Sequence, residues 1–482
     1  MFKFKTKPYA HQLACLEACH DKHNFAIFAE MGCGKSKILI DNIAWLYEQG
    51  EIDTVVIVAP KGVYINWVRS ELPKHMPDHI NYDVYTWRTN PNKTEGSRLV
   101  DGITNRDKLR ILVVNVEGFV TKKLPTYCDL FVKNSSYMIA VDESTSIKNP
   151  KAKRTKALVK FGALARYKRI MTGSPVTQSP LDLYAQCGFL NKKLLGFDSY
   201  YAFQNHFAIL KRQNFGSGHS FQQVVGYRNL DELSDRLSGF SYRIRKEDAL
   251  DLPAKTYTVR EVELTPEQAM SYQSMERAAL LYLGGDDLVT APEAMTQLLR
   301  LQQIICGYVK TDEGELREVK SNRLSTLMEI LAETTGSVII WSRFRHDIEA
   351  IQNAISKTYG QRSVVTYYGG TSEADRVAAV ERFENREARF FVGNPQTAGM
   401  GLTLVAANTV VYYANDFNLE SRVQSEDRCH RIGQEHPVLY IDLVAKGTVD
   451  EHIVRILQNK LDLSAKTLGE SVKAWLKLGT GR

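Results

Sequence analysis

The stretch AEMGCGKS, residues 29–36, decides how the first half of the chain folds. An apolar run at residues 25–29 precedes it, and a helix-forming segment, KILIDNIAWLYE, follows it. A buried strand, a tight turn with glycines and a helix, in this order, form a phosphate-binding loop. The small residues let backbone N–H groups surround phosphate oxygens, and the helix amino terminus adds a favourable dipole. The sequence therefore predicts a nucleotide site within an α/β fold.

Individual side chains around this loop have separate predicted tasks. Lys35 can reach the β- and γ-phosphates of ATP, and the Ser36 hydroxyl can bind Mg²⁺. Ala29 stands where the usual pattern has glycine, which is a mild departure. Gln12 is predicted to read the adenine edge, because an amide both donates and accepts hydrogen bonds; a surface glutamine at a helix start is the alternative. The remaining predicted nucleotide-binding residues of the loop are Met31, Gly32, Cys33 and Gly34.

A pair of carboxylates follows another apolar run, in MIAVDEST at residues 138–145. Asp142 is predicted to hold Mg²⁺, and Glu143 to orient or deprotonate the attacking water. An acidic turn on a solvated sheet edge is the alternative. Because the phosphate loop lies upstream, we favour the catalytic interpretation.

Short apolar runs separated by helical or loop-like segments predict two parallel sheets in tandem, since parallel strands are buried on both faces. The runs of the first series are residues 54–59, 111–115, 138–141 and 169–172. The runs of the second series are residues 337–341, 363–368, 389–393, 409–413 and 438–443.

The connector LDLPAK, residues 250–255, marks the predicted domain boundary, because Pro253 disfavours helix just before it. The predicted amino-terminal lobe is residues 1–250, with a helical elaboration at 180–250. The predicted carboxy-terminal lobe is residues 251–482, with a helical insertion at 258–335. Thr265 is predicted to cap a helix, and residues 214–226, rich in Gly, Ser and Gln, are predicted to form an exposed loop.

Two arginines stand in QSEDRCHRIGQ, residues 424–434. Arg428 and Arg431 are three positions apart and would share one face of a helix. Paired guanidinium groups suit the γ-phosphate in a phosphoryl-transfer transition state, and supply from the opposite lobe would make hydrolysis depend on closure. Gln424 is predicted to approach the phosphates. The alternative is surface ion pairing of both arginines with the neighbouring acidic residues.

Two turns that follow predicted strands are candidates for coupling. MTGSPV, residues 171–176, is predicted to link the acidic pair to the other domain. In NPQTAGMGLTL, residues 394–404, the glycines and Thr397 would let backbone N–H groups approach a phosphodiester backbone or the nucleotide. Gly401 is assigned to the nucleotide and Gly399 to DNA. Plain turns are the alternative for both segments.

Composition excludes some classes of protein. The chain has 482 residues, of which 44% are hydrophobic and 24% charged, as in globular proteins with two large domains. No apolar run approaches the ~20 residues that cross a bilayer, and the amino terminus lacks a signal-peptide pattern. The seven cysteines form no CxxC framework. We expect a cytoplasmic protein without membrane contact. The net charge of +7 permits a polyanionic partner without demanding one.

Five motifs occur in the order seen in superfamily 2 helicases: AEMGCGKS, VDESTSIKNP, MTGSPV, NPQTAGMGLTLVAANTVVYY and QSEDRCHRIGQ. The segments SYRIRKEDALDLPAK, LLRLQQIICG and DRCHRIGQ resemble the Swi/Snf-like ATPases in particular. The likeness extends from Gln12 to about Leu463. It implies two tandem RecA-like domains with parallel sheets and helical insertions, ATP and Mg²⁺ in the cleft between them, and a double-stranded nucleic-acid track. The compact chain resembles, more narrowly, Swi/Snf-like DNA helicases encoded by bacteriophages.

Movement along DNA without sequence preference needs phosphate contacts more than base contacts. Candidate residues stand just beyond the predicted strands, and the resemblance implies a track-contacting role for several of them. The predicted DNA-binding residues are Lys61, Trp67, Asn115, Arg343, Arg345, Thr371, Arg376, Thr397 and Gly399.

The expected function is that of a monomeric ATP-dependent DNA translocase or helicase, which moves on duplex, forked or branched DNA. Fork or junction unwinding and branch migration in replication, recombination or repair are the expected roles. The first alternative is a duplex translocase that displaces or remodels DNA-bound proteins without separating strands. The second, from another class, is a nucleotide switch that binds a protein partner and hydrolyses ATP slowly.

Overall fold

The computed structural model describes residues 2–61, 63–88, 90–214, 220–284, 291–310, 315–398 and 402–470. Spatial contacts divide the chain into two compact units. The first unit contains the described parts of residues 1–213, 221–251 and 463–472, and the second contains those of 214–220 and 252–462. Each unit is built on a parallel sheet covered by helices, which confirms the predicted α/β class of two tandem RecA-like domains.

Seven strands form the sheet of the first unit. The strands up to residue 244 are β1 (Asn24–Ala29), β2 (Thr54–Ala59), β3 (Tyr82–Thr86), β4 (Leu109–Asn115), β5 (Tyr137–Asp142), β6 (Tyr167–Met171), β7 (Ala208–Asn214), β8 (Ser220–Tyr227) and β9 (Ser241–Ile244). The sheet order is β3–β4–β2–β5–β6–β1–β9, with every pair parallel, while β7 and β8 form a separate two-stranded sheet.

Alternate residues of the central strands face two different hydrophobic cores. On β2, Val56 and Val58 belong to one core, whereas Val55 and Ile57 belong to the other. Both faces are therefore buried, which explains the continuous apolar runs in the sequence. The helices that supply the two coverings are α1 (Ala10–Cys19), α2 (Lys35–Glu48), α3 (Tyr64–Asn66), α4 (Leu72–His75), α5 (Lys93–Thr104), α6 (Lys123–Phe131), α7 (Lys153–Phe161), α8 (Asp182–Leu190), α9 (Tyr200–Phe207), α10 (Leu230–Ser238) and α11 (Lys246–Ala249).

Six strands form the sheet of the second unit. The strands from residue 255 onward are β10 (Lys255–Val262), β11 (Tyr308–Lys310), β12 (Leu316–Glu318), β13 (Ser337–Trp341), β14 (Val364–Tyr367), β15 (Phe390–Gly393), β16 (Ala407–Tyr412) and β17 (Val438–Ala445). The sheet order is β10–β17–β16–β13–β15–β14, again entirely parallel, and β11 pairs with β12 in antiparallel fashion.

The helices of the second unit cover both faces of its sheet and form a smaller core beside β17. They are α12 (Pro266–Gly284), α13 (Ala291–Cys306), α14 (Arg323–Glu333), α15 (Arg345–Tyr359), α16 (Glu373–Glu384), α17 (Pro395–Ala398), α18 (Leu419–Glu426) and α19 (Val449–Thr467). The predicted cap of α12 is confirmed, because Thr265 Oγ1 accepts a hydrogen bond from the backbone N–H of Gln268 at 3.2 Å.

The two intervals predicted as helical contain strands as well. Residues 180–250 include β7, β8 and β9 beside their helices, and residues 258–335 include β11 and β12. The loop predicted at residues 214–226 was wrong from Ser220 onward, where strand β8 begins. Its Gly, Ser and Gln content suggested a loop, but the described backbone from that point pairs with β7. The predicted exposure is confirmed at Gln222, Gln223 and Val225.

Candidate functional site

The phosphate loop connects β1 to α2, as the strand–turn–helix pattern predicts. Gly32 and Gly34 have φ angles of +86° and +81°, in the left-handed region that favours glycine. Lys35 Nζ donates a hydrogen bond to the carbonyl oxygen of Ala29 at 2.9 Å, so its side chain folds across the loop. A Cβ atom on Gly34 would lie 2.1 Å from Nε2 of Gln12. The backbone thus has the glycine-dependent form that a phosphate cradle requires.

Gln12 lies in α1 directly against this loop. Its Nε2 donates to the carbonyl oxygen of Cys33 at 3.3 Å, and its Oε1 accepts from the backbone N–H of Tyr9 at 3.0 Å. Nε2 of His11 lies 3.0 Å from the same Cys33 oxygen. Since Gln12 is only 6% exposed, its amide belongs to the loop's surroundings and not to an open surface.

The acidic pair stands at the carboxyl end of β5. Asp142 is buried, and its Oδ2 accepts a hydrogen bond from the indole Nε1 of Trp67 at 2.9 Å. Burial raises the pKa of Asp142 to about 6; the charge of Glu143 also raises this pKa, while the Trp67 hydrogen bond and the Lys35 charge oppose the rise. Lys35 therefore lies close enough to Asp142 for the two charges to interact.

The contact with Asp142 corrects the prediction that Trp67 binds DNA. Trp67 is 1% exposed, and its only polar atom donates to a carboxylate inside the unit. A side chain in this position cannot reach a phosphate backbone. Its position a few residues after β2, shared with Lys61, suggested a surface, but the helical turn Trp67–Glu71 directs the indole inward. Lys61 itself is exposed, as a DNA contact would require.

The turn after β6 contacts the acidic pair directly. Thr172 Oγ1 donates to Glu143 Oε2 at 3.1 Å, and the backbone N–H of Ser174 donates to Thr172 Oγ1 at 3.2 Å. Glu143 has a φ angle of +47°, a left-handed conformation that is unusual for a residue other than glycine. The MTGSPV turn thus bonds to the side chain of Glu143 within the first unit. This agrees with its predicted contact with the acidic pair, while its predicted link to the other domain stays a prediction.

The two arginines of the second unit share one hydrogen-bond acceptor. Nη1 of Arg428 lies 3.3 Å, and Nη1 of Arg431 lies 3.1 Å, from the carbonyl oxygen of Leu402. They do not stand on a helix as predicted, because α18 ends at Glu426 and turns follow it. Arg428 is 2% exposed, whereas Arg431 is partly exposed. The turn nevertheless directs both guanidinium groups to one point.

The acidic and amide residues just before these arginines make ion pairs and hydrogen bonds within the second unit. Glu426 Oε2 lies 3.3 Å and Asp427 Oδ1 lies 3.8 Å from Lys255 Nζ. Although burial opposes it, the charges of Lys255 and Arg422 lower the pKa of Glu426 to about 2. Gln424 Nε2 donates to Glu420 Oε1 at 3.3 Å, along the same helix.

Most of the predicted DNA-binding residues make contacts within their own unit. Asn115 Oδ1 accepts from the backbone N–H of Gly118 at 2.7 Å, and Thr371 Oγ1 accepts from that of Tyr368 at 3.2 Å. The remaining contacts join Arg343 to Asp416 (3.4 Å), Arg345 to Glu349 (2.7 Å), Arg376 to the Tyr368 carbonyl oxygen (2.9 Å), and the Thr397 N–H to the Asn394 carbonyl oxygen (3.1 Å). Gly399 and Gly401 lie outside the described residues.

Comparison with known proteins assigns the family. The SNF2-related domain matches residues 10–308, more than half of the chain, and the helicase conserved C-terminal domain matches residues 320–433. The chain belongs to the SNF2-related family. The predicted resemblance to Swi/Snf-like members of superfamily 2 is therefore confirmed, while the narrower likeness to bacteriophage proteins stays a prediction.

Several relatives of this SNF2-related chain are similar along nearly its whole length. They include Protein CHROMATIN REMODELING 4 of Arabidopsis thaliana (24% identical, 96% of this chain, 21% of the relative) and the putative ATP-dependent helicase/translocase YwqA of Bacillus subtilis (26% identical, 90% and 45%). This chain is also similar to the solved structure of the Sulfolobus solfataricus SWI2/SNF2 ATPase core in complex with dsDNA. The sequences are 24% identical, the match covers 98% of this chain and 99% of that one, and the TM-score is 0.44. The chain spans less than half of the length of these curated relatives.

One residue beside the phosphate loop of this SNF2-related chain escaped sequence analysis. Arg243, on the edge strand β9, lies 3.3 Å from Glu30 Oε1, and its Nη1 donates to the carbonyl oxygens of Phe28 and Gly173. It therefore joins the phosphate loop to the turn that bonds Glu143. The segment SYRIRKED was quoted for its family likeness, but nothing in its spacing indicated which arginine faces the loop.

Among the described residues, no helix has both the length and the apolar character needed to cross a membrane.

Proposed function

We propose that this SNF2-related chain is a DNA-dependent ATPase that couples ATP hydrolysis to movement on duplex DNA. The observation that carries the proposal is the grouping of Lys35, Asp142, Glu143 and Thr172 at the carboxyl edge of one parallel sheet. Thr172 Oγ1 donates to Glu143 Oε2 at 3.1 Å, the charge of Lys35 acts on Asp142, and the loop beside them has the glycine-dependent geometry of a phosphate cradle. In open α/β sheets, ligands bind at this edge.

The proposed chemistry assigns one role to each residue. Backbone N–H groups of residues 31–36 bind the phosphates, Lys35 neutralises their charge, and Glu143 positions the attacking water with the help of Thr172. Ser36 and Asp142 would hold Mg²⁺, which would supply positive charge against the charge that develops on the phosphates. The carboxylate of Asp142, which already accepts one hydrogen bond from Trp67, fits a hard cation.

The second unit is proposed to supply Arg428 and Arg431 to the γ-phosphate, with Gln424 nearby. Their convergence on the Leu402 oxygen supports this role, because two guanidinium groups at one point concentrate positive charge. Gln12 is proposed to bind the adenine, since its amide already lies against the loop. For the domain boundary we propose the connector at residues 250–255.

DNA is the proposed track because of family membership and because some relatives carry the names helicase or translocase. Exposed or partly exposed basic residues, Lys61 and Arg345 among them, are the proposed phosphate contacts. Fork or junction unwinding is the proposed outcome of movement. Displacement of DNA-bound proteins without strand separation is a second candidate, favoured by the chromatin-remodelling name of one relative.

The test is the ATPase rate with no DNA and with single-stranded, duplex, forked and four-way DNA. We expect duplex-containing substrates to raise the rate, and Lys35→Ala and Glu143→Gln to abolish it. Unwinding of forked against blunt duplexes, beside displacement of a protein from the same DNA, separates the two candidates. A basal rate that no DNA raises would refute the motor and favour a nucleotide switch.

A further inference from the structure

A polar network inside the second unit connects the loop at residues 342–345 with the segment before α18. Nη1 of Arg343 donates to Oε1 of Gln302 at 3.2 Å and lies 3.4 Å from Oδ1 of Asp416. Nε2 of Gln302 donates to the carbonyl oxygen of Asn415 at 2.6 Å. Gln302 belongs to α13, so one helical side chain joins two loops that follow the separate strands β13 and β16.

From Asn415 the network continues into α18 through buried charged groups. Asn415 Nδ2 donates to Asp442 Oδ1 at 2.6 Å, and Arg422 Nη2 donates to Asp442 Oδ2 at 2.9 Å. Arg422 Nε donates to Oε1 of Glu426 at 2.9 Å, at the last residue of α18. Two residues later stands Arg428. The chain of contacts therefore ends where the proposed γ-phosphate arginines begin.

A second branch links the same loop to α17. Gln396 Nε2 donates to Asp416 Oδ2 at 2.6 Å. Asn394 Nδ2 donates to the carbonyl oxygen of Arg343 at 2.7 Å, and Asn394 Oδ1 accepts from the backbone N–H of Gln396 at 2.9 Å. Asp416 thus receives both the Arg343 guanidinium and the Gln396 amide. A shift of the Arg343 guanidinium would therefore change the contacts of the Asp416 carboxylate.

Gln302 is the uncharged side chain that joins Arg343 to Asn415, and it needs both a donor and an acceptor to do so. It is 1% exposed, and its amide donates at one end and accepts at the other. A buried amide with both ends bonded fixes the relative position of its partners, because rotation would break both hydrogen bonds in a medium of low dielectric constant.

We infer that Gln302 is a positioning residue, which couples DNA contact at Arg343 to the placement of Arg428 and Arg431. The inference rests on the proposed function and on the prediction from the sequence that Arg343 contacts the DNA. A DNA phosphate competes with Asp416 for the Arg343 guanidinium. Gln302 transmits the resulting shift to Asn415, and the Asp442 and Arg422 contacts carry it to α18.

The test compares Gln302→Met and Gln302→Glu with the wild-type chain. Methionine keeps the volume and removes both hydrogen bonds; glutamate keeps an acceptor for Arg343 and removes the donor to Asn415. For both variants we expect the duplex-stimulated kcat to fall about tenfold, with basal turnover and the KM for ATP within about twofold of wild type. Duplex affinity, measured by fluorescence anisotropy, should stay within about threefold for Gln302→Met.

The matched control is Gln303→Met, on the next residue of α13, which is only partly buried. It should keep wild-type stimulation. Equal losses of basal and stimulated turnover in the Gln302 variants would show a packing role and overturn the inference, as would unchanged stimulation. A wild-type rate that duplex DNA does not raise would refute the proposed function and this inference with it, whereas a stimulated wild type with fully stimulated variants would refute this inference alone.

Discussion

Trp67 donates a hydrogen bond from its indole Nε1 to Oδ2 of Asp142 at 2.9 Å, and both side chains are buried. The two residues are 75 positions apart; Trp67 lies in the helical turn after β2, and Asp142 ends β5. A buried carboxylate needs donors, and each donor fixes its orientation. The indole therefore acts on the proposed metal-binding carboxylate from inside the first unit.

Replacement of Trp67 by phenylalanine should lower ATPase activity and leave DNA affinity unchanged. Phenylalanine fills most of the volume but gives Asp142 no donor, which raises the pKa of that carboxyl further. A hydrogen bond to a charged group is worth ~1.5–3 kcal/mol, so kcat should fall about tenfold or more, with a higher Mg²⁺ requirement. ATPase titrations with Mg²⁺ and duplex-binding measurements check both parts. Reduced duplex affinity with normal kcat would restore the DNA-contact interpretation.

Thr172 should affect the hydrolytic step through its hydrogen bond to Glu143. In Thr172→Val the shape is kept, but the hydrogen bond to Glu143 Oε2 and the acceptor for the backbone N–H of Ser174 are both lost. We expect kcat to fall about tenfold with the KM for ATP within about twofold, because a bond to the water-positioning carboxylate contributes little to nucleotide binding. Steady-state ATPase kinetics measure this split.

The matched control for that variant is Thr326→Val. Thr326 Oγ1 donates to the Asn322 carbonyl oxygen at 2.9 Å in the second unit, far along the chain from the acidic pair. Its kinetics should equal those of the wild type. If Thr172→Val raised KM while kcat stayed unchanged, the threonine would bind nucleotide instead of orienting Glu143.

The interior strands of both large sheets were predictable from the sequence, whereas three of their four edge strands were not. The buried central strands are continuous apolar runs, so β2, β5 and β13 were found within one or two residues of their bounds. In the two large sheets the missed strands are β3, β9 and β10, each at the edge of its sheet, while the remaining edge strand, β14, was found. Edge strands are partly solvated and carry polar residues, as in YDVYT and KTYTVREV, so they give no apolar run.

The site was predictable where a local motif fixes the backbone. Lys35 and Glu143 belong to contiguous motifs, whereas the contacts of Trp67, Arg243 and Gln302 join residues that are far apart in the chain. No spacing rule reveals which side of a turn faces inward. That is why Trp67 was assigned to DNA and Gln302 to no role.

Arg431 should be needed for turnover but not for ATP binding. Its guanidinium bonds the Leu402 oxygen together with Arg428, and its partial exposure suits contact with a phosphate. We expect Arg431→Ala to lower the duplex-stimulated kcat by at least about 100-fold, with the Kd for ATP within about threefold. Arg431→Lys should rescue little, because lysine lacks the planar guanidinium fork. Stopped-flow nucleotide binding and ATPase assays measure the two quantities.

An exposed arginine of α19, Arg455, provides the matched control. Arg455→Ala should keep turnover and binding at wild-type values. Full turnover of Arg431→Ala with duplex DNA would remove Arg431 from the catalytic assignment, whatever the behaviour of Arg428.

Asp347 is a buried carboxyl below the loop at residues 342–345. Ser342 Oγ donates to its Oδ2 at 2.7 Å, and the side chain is 2% exposed. Burial raises its pKa from 3.8 to about 7, against the Ser342 hydrogen bond and the charge of Arg323, which lower it. Near neutral pH this carboxyl is close to its folded-state midpoint.

The stability of the folded chain should therefore decrease as pH rises from about 4 to about 7, relative to a variant without this carboxyl. In that window the folded state holds a proton that the unfolded chain has released, so raising the pH favours unfolding. Asp347→Asn cannot titrate at this position, so the unfolding free energy of the wild type should fall relative to that of the variant as the pH rises from about 5 to about 8. The expected fall is ~3 kcal/mol, because the stability changes only up to about pH 7 and each pH unit there is worth ~1.4 kcal/mol. Urea unfolding of both chains at a series of pH values measures the difference. Parallel pH profiles would mean that Asp347 is ionised throughout and that its burial is compensated by Arg323.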